Sequence, residues 1–308
     1  MRRLAFIAGT CAVIFLVLSS DRVGVIDVFD EDDSESAATV VEPTMDVAVL
    51  FNDDGEPEDA EQLWGSIDCD LDDTPPEESG PFQVDSDGDP KPRGDGTDQG
   101  NDAFRVVRIH DGDDFFGERC ELGRNDSEEG PTALYRDGDR LITYASFRLP
   151  PSFPIDTIDW QGVLQIKQAQ PADNADGTPV LSLGAYTGKW ILFHSDPGFT
   201  VEDVELWSVP AQAGVWARFA IETKLSADPE VGTVSVRADL DGDGSFETTS
   251  PTFKTNTLKL ETGGDSDDGF EAGDTLPAHL RVGLYHNPVI NCPNGCHLDV
   301  DNVQVVRP

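Results

Sequence analysis

The stretch from Gly162 to His194, GVLQIKQAQPADNADGTPVLSLGAYTGKWILFH, decides the fold class of this chain. It contains three runs rich in aliphatic and aromatic residues, Gly162–Gln168, Val180–Tyr186 and Trp190–His194. Proline, asparagine, aspartate and glycine separate these runs, and such residues favour turns. Short β-rich runs between turn residues are typical of antiparallel sheets.

The same pattern continues on both sides of this stretch. Further β-rich runs are Phe104–Ile109, Arg119–Leu122, Leu141–Leu149, Val215–Lys224, Thr233–Ala238, His279–Tyr285 and His297–Val306. No segment carries the apolar stripe of an amphipathic helix. The spacing therefore predicts an all-β chain folded as a sandwich or a barrel.

The first sixty residues differ from the rest of the chain. Arg2 and Arg3 precede an apolar run from Leu4 to Leu18, which predicts a secretory signal peptide over residues 1–20 and a secreted protein. A retained membrane anchor is the alternative, but the run is short for a bilayer span, and no later apolar run approaches the length that a bilayer needs. Residues 21–60 read as an acidic disordered linker with one short strand at Val47–Phe51. The folded domain is expected over residues 61–308.

The net charge of −39 limits the partners of this protein. A chain without a general basic field does not bind nucleic acid. It also repels an anionic polymer at long range, so such a substrate requires a local cationic cleft or screening salt. Lysine is scarce and aspartate abundant, which suggests a halophilic protein that works in a salty medium. We expect a monomer with no membrane contact after signal cleavage.

Four cysteines follow the predicted signal: Cys69, Cys120, Cys292 and Cys296. An even number in an exported chain suggests disulfides, and four cysteines allow three pairings. The short Cys292–Cys296 loop favours its own closure, which leaves Cys69 to pair with Cys120. A zinc site beside His297 is the alternative, but no second ligand pair is visible.

Three of the predicted strands alternate polar and apolar residues. Arg119 and Glu121 fall on one face of their strand, and Gln165 and Lys167 fall on one face of another. In the run Arg281-Val-Gly-Leu-Tyr285, the arginine and the tyrosine share a face with a glycine between them. Alternation alone also fits a solvent-exposed face. Arginine, glutamine, lysine and tyrosine, however, are suited to holding a carboxylate and moving a proton.

These strands resemble those of the heparin lyase I-like and alginate lyase-like polysaccharide lyases. The segments carrying the resemblance are Glu118–Leu122 (ERCEL), Gln165–Lys167 (QIK), Arg281–Tyr285 (RVGLY) and Leu298–Val305 (LDVDNVQV). They occur in the family's order and cover roughly residues 100–308. The resemblance implies a concanavalin-like β-jelly roll sandwich whose concave sheet is the substrate cleft. It also implies β-elimination on an acidic polysaccharide with no required cofactor.

The resemblance implies a role for each matching residue. Arg119 and Gln165 would hold the uronate carboxylate, whose charge grows in the carbanion-like transition state. Tyr285 would donate a proton to the leaving oxygen and is also a candidate base. Glu121 and Arg281 would complete the substrate-binding face.

Two positions depart from the family pattern. Lys167 stands where many relatives have a histidine base, so it is either a base with a depressed pKa or a carboxylate ligand. Arg281 stands where lysine is usual, which keeps the charge but changes the geometry. His286 follows Tyr285 and reaches the cleft only if the strand ends at Tyr285. His194, at the end of another strand, is a comparable candidate.

An acidic segment suggests a metal site. Asp239, Asp241, Asp243 and Glu247 place oxygen ligands at alternating positions around Gly244, as at the start of a calcium loop. The twelfth position is Ser250, which excludes a regular EF-hand. Structural calcium and a plain Gly-Asp hairpin turn both remain open.

Two other functions are alternatives to a lyase. A carbohydrate-binding jelly roll without catalysis would use the same face. A glycoside hydrolase would need two carboxylates facing the scissile bond, and only Glu121 has a matching motif.

Overall fold

In the computed structural model, the described residues are 47–54, 63–69, 83–85, 104–109, 118–124, 134–169, 178–195, 204–262, 269–292 and 296–308. The predicted signal peptide and most of the predicted linker lie outside these ranges. Within them, no helix has the length and apolarity needed to cross a membrane.

Two antiparallel sheets form the described part of the chain. The first sheet consists of β1 (Ala48–Asp53), β3 (Gln83–Asp85), β4 (Phe104–Ile109), β6 (Arg140–Arg148), β11 (Trp216–Lys224), β12 (Thr233–Asp239), β13 (Thr248–Thr249), β14 (Phe253–Lys254) and β16 (Cys296–Arg307). The second consists of β2 (Gly65–Cys69), β5 (Glu118–Arg124), β7 (Gln161–Gln168), β8 (Leu181–Tyr186), β9 (Lys189–His194), β10 (Val204–Pro210) and β15 (Ala278–His286). This confirms the predicted all-β jelly-roll sandwich.

The second sheet has the order β10-β9-β8-β7-β15-β5-β2. Strand β15, from the end of the chain, therefore lies between β7 and β5. All ten predicted runs from Phe104 onward are strands, with bounds shifted by one or two residues at some ends. The edge strands β2 and β10 were not predicted, because their sequences lack a sustained period-2 pattern.

The core lies between the sheets. Side chains that alternate toward it from both sheets form one large apolar cluster. Phe219 of the first sheet packs edge-on against Trp190 of the second, with ring centroids 5.1 Å apart. Phe147 lies 6.2 Å from Trp190. The faces of the two sheets that point away from this core are therefore available for other roles, such as binding a ligand.

The predicted short strand near residue 47 belongs to the first sheet. β1 pairs with β16, so the folded region includes residues that precede position 61. Asp53 is buried, and its carboxylate accepts hydrogen bonds from Trp64 Nε1 at 2.6 Å and from Arg105 Nε at 2.7 Å. A buried carboxylate needs such partners, and these tie β1 to β4.

A bulge interrupts the pairing of β15 with β7 between Val282 and Tyr285. Gly283 has a φ of 149°, which L-residues rarely adopt. A Cβ at this position would lie 2.3 Å from the carbonyl oxygen of Cys120. The glycine is therefore required by the close approach of β5, and it also lets β15 aim Arg281 and Tyr285 along one face.

Disulfides follow the expected pattern where they are described. Cys292 and Cys296 are bonded to each other, so this pair supplies no thiolates for zinc. Cys120 is also disulfide-bonded, and Cys69 lies opposite it in the β2–β5 register. The Cys69 side chain itself lies outside the described part of the chain.

Candidate active site

The order of the second sheet brings the predicted residues together. In the β15–β5 register Tyr285 lies opposite Arg119. In the β15–β7 register Arg281 lies opposite Gln165, and Lys167 lies opposite residue 279. Strands far apart in the chain thus place these side chains on neighbouring positions of one face.

This face is not plainly solvent-exposed. Arg119, Glu121, Gln165 and Lys167 are each less than 9% exposed. Buried charged groups carry a desolvation cost that stability alone does not explain. The burial of these side chains favours a ligand-binding face over a solvent-exposed face with no ligand.

The tyrosine is held between a cation and an aromatic ring. The guanidinium carbon of Arg119 lies 4.0 Å from the centroid of the Tyr285 ring. Trp160 contacts Tyr285 edge-on, with centroids 4.6 Å apart. The phenol is half-buried and its orientation is restricted by these two neighbours. A proton donor in such a position is preorganised.

A carboxylate pair neutralises the two arginines. Glu121 Oε2 lies 3.3 Å from Nε of Arg119 and 3.5 Å from Nη1 of Arg281. Asp68, on the neighbouring strand β2, lies 2.5 Å from the same Nη1. Nη2 of Arg281 has no such contact within the described residues. Arg281 is thus positioned from one side, with a donor left over for a ligand.

His279 belongs to this cluster and was missed by the sequence analysis. Its Nε2 accepts a 2.9 Å hydrogen bond from Nε–H of Arg281. Burial lowers its pKa well below the usual value, and the charges of Arg281 and Lys167 lower it further. The imidazole is therefore neutral near neutral pH. The alternation His279-x-Arg281-x-Gly-x-Tyr285 was the available signal, since it places the histidine on the cleft face.

Gln165 and Tyr285 also line a pocket that extends toward β8 and β9. Its volume is about 240 Å³, and its wall includes Trp160, Ser182 and Phe193. The cationic cluster thus borders a largely apolar cavity. No local sequence motif predicts this pocket, because its wall is assembled from four strands and three connecting segments.

The other histidines lie elsewhere. β15 continues to His286, which is fully buried, with Nδ1 3.0 Å from the carbonyl oxygen of Asn287. His286 thus faces away from Tyr285, and its Nε2 lies 3.5 Å from Glu118. His194 is bound through Nε2 to Asn256 at 2.9 Å. Both arrangements are typical of structural histidines.

The acidic loop gathers its predicted ligands. Carboxylate oxygens of Asp239, Asp241, Asp243 and Glu247 lie within 4.8 Å of one another. Asp239 is fully buried and accepts hydrogen bonds from the backbone N–H groups of Gly242 and Gly244 at 2.7 and 2.8 Å. The donor set suits Ca²⁺. The turn is also satisfied by its own backbone, so both expectations for this loop still apply.

Comparisons with known proteins agree with this fold. A family model described as polysaccharide lyase matches residues 81–304. The solved endo-β-1,4-glucuronan lyase of the fungus Trichoderma reesei is 14% identical, with a TM-score of 0.51, and the match covers 85% of this chain and 96% of that one. The marine PL-14 alginate lyase of Aplysia kurodai is 10% identical, with a TM-score of 0.48 and coverages of 85% and 100%. No curated protein matches.

Proposed function

We propose that this chain, which belongs to the polysaccharide lyase family, cleaves a uronic-acid-containing polysaccharide by β-elimination. The observation that carries the proposal is the convergence of four side chains on adjoining positions of one face, with Arg119 and Gln165 buried and Tyr285 and Arg281 half-buried. The glucuronan lyase with a similar fold supports a uronate substrate.

The reaction requires stabilisation of negative charge on the substrate and two proton transfers. Loss of the C5 proton leaves an electron pair that forms the C4–C5 double bond, and the C4–O bond breaks. Negative charge builds on the uronate carboxylate before the oxygen leaves. Arg119, Gln165 and Arg281, whose Nη2 has no partner among the described residues, are placed to bind that carboxylate.

Tyr285 supplies the proton that the leaving oxygen takes. The proton removed from C5 goes to Tyr285 or to Lys167, the two candidate bases on this face. Net transfer leaves one unsaturated uronate end and one new reducing end, with no water consumed. All these groups belong to the protein, so the proposed chemistry requires no cofactor.

A glycoside hydrolase is less well supported. The two carboxylates beside the arginines, Glu121 and Asp68, are both engaged in ion pairs. A hydrolase needs one carboxyl group as an acid and another as a base or nucleophile. A purely carbohydrate-binding module would retain the same face without turnover, and the experiment below separates it from a lyase.

The test is absorbance of unsaturated uronate ends, measured on a panel of uronate polymers in high salt. The Tyr285→Phe variant is expected to lose at least about a hundredfold in turnover, the scale of general acid–base catalysis. It should still bind, which quenching of Trp160 fluorescence would report. Tyr144→Phe, on the other sheet, is the matched control. Equal turnover of Tyr285→Phe and wild type would contradict the proposed mechanism.

We further propose that the protein is exported as a monomer into a salty medium and that the acidic loop binds structural calcium. The net charge of −39 and the apolar N-terminal run support export and salt dependence. Raising NaCl from 0.1 to about 2 M should raise Tm, because salt screens carboxylate repulsion. Full stability in dilute buffer would contradict the halophilic part.

A further inference from the structure

The pocket beside Tyr285 differs in character from the cluster on its other side. Arg119 and Arg281 lie on β5 and β15, whereas the pocket extends over β7, β8 and β9 and shares only Tyr285 with β15. Its described wall contains no lysine, arginine or histidine and no carboxylate. Its wall includes three aromatic residues, Trp160, Phe193 and Tyr285.

A uronate would be poorly accommodated there. A carboxylate bound there would lie against largely apolar surface, with neutral donors such as the Gln165 amide and the Ser182 hydroxyl but no charged side chain in the described wall, and such a placement is costly. Lys259 binds the backbone carbonyl of Thr178 at the rim, but it is only 4% exposed and its side chain is not in the wall. In the sequence, residues 170–177, which precede Thr178, and residues 196–203, which follow Ser195, contain five carboxylates and no lysine or arginine.

The pocket does offer groups that suit an uncharged sugar. Ser182 is 2% exposed and lines the wall, and its Oγ has no hydrogen-bond partner within the described chain. Gln165 lies opposite Ser182 in the β7–β8 register, so an amide and a hydroxyl stand side by side. Few polar groups on an otherwise apolar, aromatic wall are characteristic of small-ligand pockets, and a sugar ring offers hydroxyls together with an apolar face.

We infer that this pocket is the subsite for a neutral sugar next to the uronate that is cleaved. The substrate class is then a heteropolysaccharide in which uronates are flanked by uncharged sugars, not a continuous polyuronate. This inference rests on the proposed lyase function and narrows its substrate. The net charge of −39 also favours such a substrate, since a polymer with fewer carboxylates is repelled less by the protein.

The test compares two kinds of polymer under the same salt. Polyglucuronate and alginate represent continuous polyuronates, and hyaluronan and gellan represent uronates flanked by neutral or N-acetylated sugars. We expect kcat/KM to be at least about tenfold higher on a polymer of the second kind, the factor that one unfavourable charge placement of ~1.4 kcal/mol produces. Equal or higher values on polyuronates would overturn the neutral subsite and leave the lyase function standing.

Two variants probe the pocket directly. Thr178→Lys adds a cation at the exposed rim and should shift preference toward polyuronates, whereas Thr249→Lys on the other sheet makes the same change of net charge and should not. Ser182→Ala removes the unpartnered hydroxyl and should lower kcat/KM on the preferred polymer about fivefold with unchanged Tm. An unchanged preference in Thr178→Lys would count against the subsite.

Binding separates the two proposals if no polymer is cleaved. Trp160 fluorescence would then be titrated with oligosaccharides of both kinds. Absence of unsaturated products overturns the lyase function. Tighter binding of the oligosaccharide with neutral sugars would still support the pocket assignment, and tighter binding of the polyuronate oligosaccharide would overturn it.

Discussion

The Nε–H group of Arg281 donates a 2.9 Å hydrogen bond to Nε2 of His279. An accepting Nε2 carries no proton, so the neutral imidazole holds its proton on Nδ1. Protonation of His279 would remove this acceptor and place a third positive charge beside Arg281 and Lys167. The hydrogen bond therefore requires the neutral form of His279, the form that burial and the charges of Arg281 and Lys167 favour by lowering its pKa.

His279 should make stability fall as the solution becomes acidic. Its folded-state pKa is depressed, so below about pH 6.5 the unfolded chain takes up a proton that the folded chain does not. The contribution of His279 to the free energy of unfolding is therefore fully present above about pH 6.5. Below that pH it decreases by at most about 1.4 kcal/mol per pH unit. His279→Gln should show a shallower dependence in urea unfolding between pH 7.5 and 5.5. Parallel curves for the two proteins would contradict the assignment.

Glu121 should be needed for stability because it balances two arginines. Glu121→Gln leaves Arg119 and Arg281 with one fewer counter-charge in a buried setting, which we expect to cost about 3 kcal/mol. Glu222→Gln is the matched control, since its partner Arg140 is exposed and such pairs contribute about 1 kcal/mol or less. Chemical denaturation of both variants measures the difference. Similar losses of unfolding free energy in the two variants would show that burial of the ion pair does not determine its contribution to stability.

Gly283 should tolerate no side chain. Gly283→Ala combines a φ of 149° with a Cβ placed 2.3 Å from a backbone oxygen, so we expect a loss above about 3 kcal/mol. Gly138→Ala is the control: its φ is also positive, but nothing lies within 4 Å of the added atom. That variant should lose only about 1 kcal/mol. Thermal unfolding of the pair separates the clash from the backbone strain.

Calcium should stabilise the protein if the acidic loop binds it. At a hundredfold excess over Kd the gain is about 2.7 kcal/mol, which raises Tm measurably. The double variant Asp241→Asn with Asp243→Asn should lose this rise, because both side chains are exposed ligand candidates. Asp137→Asn, at an exposed turn elsewhere, should keep it. A Tm that does not respond to Ca²⁺ in the wild type would leave the loop as a hairpin turn.

The period-2 pattern of polar and apolar residues determined much of this protein from sequence alone. Alternation is a local property, so it identified the strands and predicted that Arg119 shares a face with Glu121, and Arg281 with Tyr285. His279 could have been found in the same way, because it lies two residues before Arg281 on the same strand.

Only the tertiary structure decided which faces meet. Glu121 and Arg281 are 160 residues apart, and no local period reveals that β15 inserts between β5 and β7. That strand order sets Arg119 over the Tyr285 ring and brings Asp68 to Arg281. The pocket beside Tyr285 also depends on this strand order, because its wall combines residues from strands that are distant in the sequence. The pairing of such strands is decided by the packing of the whole chain.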